Sequence, residues 1–257
     1  MRVELTVLGS GTSLGVPTIG CRCRVCLSSD PRDKRTRPSL LLRYNGRAVV
    51  IDTGPDFRFQ AIRANLDRLD AILYTHGHAD HVLGMDDVRP FTLQEGAVIP
   101  IYGNRSAIQG IRRIFQYVFD GNYPYGGVPS IRDHVITGPL ELFGLEFVPV
   151  KVIHGRMEVL GFRFGPAAYL TDYNEIPESS LELLRGVEVL FLDALRHLDH
   201  PTHMTVAQAL EQVEKIQPKQ AFFTHIAHDL GHEETNAGLP DHVRLCYDGM
   251  QLELEVI

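Results

Sequence analysis

The sequence predicts an α/β (α+β) protein in which two mixed β-sheets are covered by helices. Short apolar runs bounded by Gly, Pro, Asn or Asp alternate with segments of helical periodicity. No low-complexity segment, repeat or linker interrupts the 257 residues, which we interpret as a single domain, 1-257. Apolar residues make up 44% of the chain and charged residues 22%, which is ordinary for a globular protein.

Apolar runs of strand length recur along the chain, and the Asn45-Gly46 pair between two of them predicts a type I′ hairpin turn. The predicted strands are Val3–Leu8, Ser39–Tyr44, Ala48–Ile51, Ala71–Tyr74, Leu145–Val152, Ala167–Leu170, Val187–Leu192, Gln220–Phe223 and Leu252–Ile257. Two segments, Arg105–Phe119 and Thr205–Ile216, place apolar residues on one helical face. The stretch Gly121–Ser130 is rich in Gly, Pro and Tyr, and is either a connecting loop or a substrate lid.

The stretch Thr75–His81 contains three imidazoles and one carboxylate in the pattern His-x-His-x-Asp-His, directly after a predicted strand. Such a cluster on a strand-to-helix turn can supply ligands to two adjacent metal ions. Two ions can hold a bridging hydroxide and bind a phosphoryl or acyl oxygen. The motif therefore predicts a binuclear metallohydrolase.

Other residues of ligand type follow predicted strands in the same way. They are Asp52, His154, Asp172 and His225. A single His or Asp at a strand end is often a surface residue, but a series of them beside this motif indicates one shared metal site.

The ordered set of these residues resembles that of metallo-β-lactamase-superfamily hydrolases. The quoted pattern is Asp52, His76-x-His78-x-Asp80-His81, His154, Asp172 and His225. The resemblance spans nearly the whole chain. It implies an αββα sandwich with the metals at one edge of the two sheets.

The resemblance also implies a role for each residue of the pattern. One metal would be held by His76, His78 and His154, and the other by Asp80, His81 and His225. Asp172 would bridge them, and Asp52 would orient a ligand imidazole. The nitrogen and oxygen ligands are compatible with Mn²⁺, Zn²⁺ or Fe²⁺ at the two divalent sites.

Three thiols lie close together in Cys21, Cys23 and Cys26, within a loop at about residues 20–27. In a reducing compartment this spacing favours a metal thiolate site, with a redox cluster as the alternative. A closed tetrahedral zinc site needs a fourth ligand. Cys246 and His228 are the candidates, and we favour His228 because Cys246 lies in a predicted core strand.

The three cysteines and the pair His225-x-x-His228 are similar to those of the phosphonate-pathway phosphoribosyl cyclic phosphate phosphodiesterases, as is the opening Gly9–Pro17. This resemblance implies one structural zinc held by Cys21, Cys23, Cys26 and His228. The Gly-rich opening predicts a tight turn leading into the zinc loop, with backbone N–H groups offered to substrate.

The predicted mechanism uses a hydroxide that bridges the metals and a general acid that protonates the leaving alkoxide. We assign the acid role to His203, with His200 and His197 as competitors, and count Asp80 as catalytic as well as metal-binding. Asp193, at the end of another strand, would orient His203 or support a ligand.

The function we predict is hydrolysis of a small phosphodiester such as phosphoribosyl cyclic phosphate by a phosphoric diester hydrolase. The alternatives are a tRNA 3′-processing endonuclease and a biosynthetic protein similar to pyrroloquinoline-quinone B. The net charge of −7 argues against a nucleic-acid partner. No apolar run approaches the ~18 residues needed to cross a membrane, so a cytoplasmic location is expected. A homodimer is left open.

Overall fold

The structure is a computed structural model that describes residues 1–95, 98–121 and 127–256. Its strands, in chain order, are β1 (Arg2–Gly9), β2 (Ser39–Tyr44), β3 (Arg47–Ile51), β4 (Ala71–Leu73), β5 (Ile99–Gly103), β6 (Ile131–Val135), β7 (Leu140–Leu142), β8 (Leu145–His154), β9 (Met157–Phe164), β10 (Ala167–Tyr169), β11 (Val189–Asp193), β12 (Gln220–Thr224), β13 (Val243–Leu245) and β14 (Gln251–Glu255).

The helices in the same residues are α1 (Phe57–Arg63), α2 (Ala79–Val82), α3 (Arg89–Glu95), α4 (Arg105–Ile114), α5 (Gln116–Phe119), α6 (Glu178–Leu183), α7 (Val206–Ile216) and α8 (His232–Ala237). Short 3-10 turns occupy Pro31–Asp33 and Met85–Val88. None of the helices in the described part of the chain has the length and apolar character to cross a bilayer.

The strands form two mixed sheets with matching plans. The first has the order β14-β1-β2-β3-β4-β5-β6 and the second β13-β12-β11-β10-β9-β8-β7. Neighbouring strands from β3 to β6 pair in parallel in the first sheet, and those from β10 to β13 pair in parallel in the second. All other neighbours pair antiparallel. Both sheets are therefore mixed, as predicted.

Alternating side chains of both sheets meet in one core between them. This core joins Val3, Leu5 and Leu42 of the first sheet to Phe147 and Phe162 of the second. A second apolar cluster lies beneath α7 on the outer face of one sheet, and a third beneath α1 and α4 on the other. The four layers are an αββα sandwich, which confirms the predicted fold class.

Most predicted elements are present, with small shifts at their ends. Asn45 and Gly46 both have positive φ, at 49° and 67°, as a type I′ turn requires. The helix predicted over Arg105–Phe119 is divided, because Phe115 leaves helical geometry and its buried ring packs into the outer core. Thr205 caps α7 through a capping box with Gln208. Half of the predicted Gly121–Ser130 loop, residues 122–126, lies outside the described residues.

Two glycines allow the backbone to pack closely behind the His-x-His-x-Asp-His motif. A Cβ on Gly54 would lie 2.1 Å from the carbonyl oxygen of Asp80, and one on Gly84 would lie 2.1 Å from the carbonyl oxygen of Gly54. The N–H of Thr53 donates to the carbonyl of His81 over 2.8 Å. The segment after β3 therefore supports the motif directly.

We expect Gly54→Ala to lower the free energy of unfolding by about 1–3 kcal/mol, because the added methyl group must displace the Asp80 backbone. Gly110→Ala is the matched control, since nothing lies within 4 Å of its added Cβ on α4. There alanine should stabilise by about 0.5–1 kcal/mol. Urea denaturation of both variants measures the difference, and equal stabilities would contradict the close contact.

Candidate metal centre

The residues that the sequence places at strand ends converge at one edge of the two sheets. Asp52 follows β3, and the His76 to His81 motif follows β4 in the first sheet. His154 ends β8, while Asp172 and His225 follow β10 and β12 in the second sheet. Side chains from both sheets thus face one another across the edge of the sandwich.

Three of these residues have left-handed backbone conformations directly after a strand. Their φ angles are 63° for Asp52, 56° for Asp172 and 58° for His225. This region costs a non-glycine residue roughly 1–2 kcal/mol. Such outliers are a common feature of functional sites. Here the sharp turn of the chain accompanies a buried ligand-type side chain at each position.

Asp80, His81, Asp172 and His225 form one tight group. His81 Nε2 lies 3.3 Å from Asp80 Oδ2 and 3.1 Å from Asp172 Oδ2. His225 Nε2 lies 3.1 Å from Asp172 Oδ1 and 3.7 Å from Asp80 Oδ2. Ligand atoms about 2.1 Å from a shared tetrahedral ion are about 3.4 Å apart. The spacing therefore fits a bound cation.

The buried imidazole nitrogens of this group support the same conclusion. Within the described residues, Nε2 of His76, His81 and His225 has no partner with hydrogen-bond geometry. Buried polar atoms normally have one, so each exception needs an explanation. Metal ions would satisfy these nitrogens, with His76 in one ligand set and His81 and His225 in the other, and the residues present fit the divalent ions expected.

Charge in the group also favours a cation. Burial alone would lower the pKa of His225, but the carboxylates of Asp172, Asp80 and Asp193 outweigh it and raise the pKa to about 10. The pKa of His81 is raised against the same burial by Asp172, Asp80 and Asp52. Positive charge is therefore strongly stabilised between these carboxylates.

His76, His78 and His154 form the neighbouring half of the site. Their ring centroids are 4.5 Å apart for His76 and His78, 5.3 Å for His78 and His154, and 5.9 Å for His76 and His154. His76 is buried, whereas His78 is exposed at the mouth. Asp172 joins the two halves, because it has a ligand atom within 4.8 Å of atoms of His154 and His203 as well.

Hydrogen bonds fix which nitrogen of each ring is free to bind a metal. His154 Nδ1 lies 2.8 Å from the carbonyl of Thr202, which can only accept, so Nε2 keeps its lone pair. His81 Nδ1 lies 2.7 Å from Asp52 Oδ2. Thr75 donates its hydroxyl proton to Asp52 and lies 3.0 Å from Nδ1 of His76. Asp52 is thus in place to orient His81, as the resemblance implies.

His203 lies beside both halves of the site. Its Nδ1 is 2.9 Å from Asp193 Oδ2. Its ring stacks on His225 with centroids 4.6 Å apart, and is 4.7 Å from the ring of His154. The contact with Asp193 has the geometry expected of a carboxylate that orients the imidazole.

The two competing histidines occupy different positions. The His200 ring is 5.0 Å from His203, one step further from the metal ligands. His197 is exposed and lines a groove with Arg24, Leu210 and Asp229. The geometry therefore favours His203 for the acid role, which remains a prediction.

Cys21, Cys23, Cys26 and His228 form the second cluster. Nδ1 of His228 lies 3.2, 3.3 and 3.6 Å from the three sulfur atoms in that order. The spacing fits ligands of a tetrahedral zinc, which are about 3.5–3.7 Å apart. Cys246 is instead buried in the core between the sheets, so His228 is the candidate that lies beside the three thiols.

Backbone N–H groups favour thiolate in this cluster. The Thr18 and Cys23 N–H groups point at the sulfurs of Cys26 and Cys21, over 3.4 and 3.5 Å. The Cys26 N–H donates to the sulfur of Cys23 and is the largest cause that lowers the Cys23 pKa to about 6, whereas burial raises the pKa of the Cys26 thiol to about 11. Thiolate is the form that binds zinc.

A buried arginine that no sequence pattern singles out contacts the segment between His225 and His228. Arg35 Nη1 donates to the carbonyl of Ala227 over 3.1 Å, and Nη2 pairs with Asp33 over 3.0 Å. Ala227 lies between His225 and His228. The guanidinium therefore holds the segment that carries both His225 and His228.

The Gly-rich opening does not offer all the backbone donors that the sequence predicts. The Gly11, Thr12 and Gly15 N–H groups donate to the carbonyls of Thr36, Ile226 and Thr12. The Ser10 N–H donates to Asp248 Oδ1. For these four residues the prediction of donors to substrate is wrong, because their N–H groups donate to acceptors within the protein.

Comparison with known proteins agrees with this site. A sequence profile described as a beta-lactamase superfamily domain matches residues 47–226. The chain belongs to this superfamily, and it has the metallo-β-lactamase fold of a hydrolase. This confirms the resemblance drawn from the ligand pattern.

Two relatives match nearly the whole chain. The crystal structure of a new diphosphatase from the PhnP family is 52% identical, with a TM-score of 0.94 over 100% of this chain and 98% of that chain. The octanoyltransferase of Porphyromonas gingivalis (strain ATCC BAA-308 / W83) is 40% identical over 250 residues, which cover 95% of this chain and 50% of that protein.

A coenzyme PQQ synthesis protein B of Methylorubrum populi (strain ATCC BAA-705 / NCIMB 13946 / BJ001) is 32% identical over 130 residues, 44% of this chain and 42% of that protein. The chain thus spans about half, or less, of the length of these curated relatives.

We expect Asp172→Ala to lose most of the active-site metal and to lower turnover by at least about 10³-fold, because Asp172 contacts His81 and His225 and also lies within reach of His154 in the other half. Asp241→Ala, on the exposed surface, is the control. Metal analysis after dialysis and steady-state kinetics measure both effects. Two retained metals with full activity would exclude a bridging role for Asp172.

Cys23→Ser should lose one zinc per chain and lower the free energy of unfolding by about 3 kcal/mol or more, because a structural zinc contributes directly to folding. Cys246→Ala should also destabilise, by opening a cavity in the core, but should keep the zinc. Zinc content and thermal unfolding separate the variants. An unchanged zinc count in Cys23→Ser would refute the site.

Proposed function

We propose that the chain hydrolyses a phosphodiester or diphosphate bond in a small phosphorylated substrate with the help of two divalent metal ions. The observation that carries the proposal is the buried group in which Asp172 joins His81 and His225 to His154 and His203. Identity of 52% to a diphosphatase supports phosphorus as the atom attacked. A cyclic phosphodiester such as phosphoribosyl 1,2-cyclic phosphate and a linear diphosphate share this chemistry.

The ligand sets that we propose are those implied by the superfamily resemblance, and the spacing within the two halves supports them. They are His76, His78 and His154 for one ion, Asp80, His81 and His225 for the other, Asp172 for both, and the Cys21, Cys23, Cys26 and His228 cluster for a structural zinc. When bound, manganese or zinc ions supply positive charge for the phosphoryl oxygens and make a water molecule acidic enough to attack as hydroxide.

His203 supplies the proton that the leaving oxygen needs. Its Nδ1–H donates to the buried carboxylate of Asp193, which stabilises the ring when Nε2 also carries a proton. Transfer of that Nε2 proton to the leaving oxygen returns the ring to its neutral form. The stacking of His203 on His225 keeps this nitrogen beside the metal ligands.

The charge of the chain supports a small substrate over RNA. A formal net charge of −7 opposes the phosphate backbone of a tRNA precursor, whose binding relies on basic residues. The similarity to coenzyme PQQ synthesis protein B covers less than half of this chain, so it supports the shared fold more than a shared role.

Acyl transfer chemistry is a second candidate, because one relative that matches 95% of this chain is an octanoyltransferase. The same metal group can bind an acyl oxygen. Only half of that protein corresponds to this chain, so its acyl activity need not belong to the shared half. An octanoyl thioester is therefore the right comparison substrate.

The proposal is tested by phosphorus NMR with manganese-loaded enzyme and three substrates in parallel. These are 5-phosphoribosyl 1,2-cyclic phosphate, a nucleoside diphosphate ester and an octanoyl thioester, the last followed by thiol release. We expect rapid cleavage of one phosphorus substrate and none of the thioester. Thioester cleavage without phosphorus chemistry would replace the proposal with the acyl candidate.

His203→Ala should keep both active-site metals and slow hydrolysis of substrates with poor leaving groups by roughly 10²–10⁴-fold. A p-nitrophenolate leaving group needs no proton, so its release should slow far less. Asp193→Asn should give a smaller loss with the same leaving-group dependence, because it acts through His203. Equal slowing for alkoxide and p-nitrophenolate would exclude the acid role.

A further inference from the structure

Hydrogen bonds close the loop between β11 and α7 at its base and also link residues within it. The Leu195 N–H donates to the carbonyl of Met204 over 2.9 Å. The Arg196 guanidinium donates to the carbonyls of Leu198 and Asp199, over 3.1 and 2.9 Å. The chain from 196 to 203 therefore has a defined shape beside the metal ligands.

Thr202 fixes this loop to the metal centre. Its carbonyl accepts the Nδ1–H of His154 over 2.8 Å. Its methyl group packs where a side chain at Gly155 would lie, since a Cβ there would be 2.9 Å from Thr202 Cγ2. Gly155 has φ of +64°, so glycine is needed for the backbone conformation as well as for the contact.

The same residue selects the tautomer of His200. The Thr202 N–H donates to Nδ1 of His200 over 3.3 Å, and the Thr202 hydroxyl lies at the same distance from that nitrogen. A backbone amide can only donate, so Nδ1 is the acceptor and Nε2 carries the proton. His200 is thus a neutral ring in the tautomer that carries its proton on Nε2, so Nε2–H is its hydrogen-bond donor.

His200 is half-buried, and its ring is 5.0 Å from that of His203. We propose that its Nε2–H binds an anionic oxygen of a second, non-reacting phosphate group of the substrate. This inference rests on the proposed function and narrows it to substrates that carry two phosphate groups. His200 is then a substrate-binding residue, and His203 acts on the phosphate at the metals.

The test measures binding by calorimetry to metal-loaded enzyme, with methylenediphosphonate and inorganic phosphate as probes. His200→Phe keeps a ring of similar size without the donor, and should weaken diphosphonate binding about 10- to 100-fold, as loss of a hydrogen bond to a charged group does. Phosphate binding and metal content should not change. His200→Gln, which can still donate, should recover most of the affinity.

His197→Phe is the matched control, because His197 lies on the same loop but lines the groove on the zinc-loop side. It should leave the affinity for both probes unchanged. Equal weakening of both probes by His200→Phe, loss of metal, or no weakening of either would overturn the inference. A selective loss in an enzyme that cleaves no phosphorus substrate would instead overturn the proposed reaction and leave the phosphate contact standing.

Discussion

Carboxylates and imidazoles are buried together where the ends of two sheets meet, and this concentration of charge constrains the rest of the molecule. Asp172 and His225 are almost fully buried, and Asp172 contacts both His81 and His225. Burying charge away from water is expensive unless it is compensated. A cation between the carboxylates compensates their buried charge. The centre is therefore more stable with a bound metal than as a set of ion pairs.

The surrounding hydrogen bonds prepare the ligands for that cation. Asp52 accepts a hydrogen bond from Nδ1–H of His81. In the same way, the Thr202 carbonyl accepts from Nδ1–H of His154, and Asp193 accepts from Nδ1–H of His203. Each bond leaves Nε2 directed away from its partner and toward the site. Arg35 donates to the carbonyl of Ala227 and so holds the segment that carries both His225 and His228. Fixed ring orientations are what binding and proton transfer require.

Much of this architecture could be predicted from the sequence, because strands and strand-end ligands leave local signals. The Asn45-Gly46 turn, the β4 motif and the thiol spacing each depend on neighbours in the chain. The break at Phe115 could not be predicted, since the helical pattern continues through it and only tertiary packing removes it. The hydrogen bonds of the Thr202 carbonyl and of the Arg35 guanidinium join segments that are distant in the sequence. Such contacts leave no sequence pattern of their own.

We infer that the buried group around Asp172 holds two metal ions that the reaction needs. The most direct measurement is activity against added Mn²⁺ for enzyme stripped of its active-site metals, with bound metal counted in the same samples. We predict that the rate of hydrolysis of the phosphorus substrate rises until each chain binds two ions in addition to the structural zinc. Beyond that point the rate should stay constant. Full activity in the stripped enzyme, or saturation at a single ion, would contradict it.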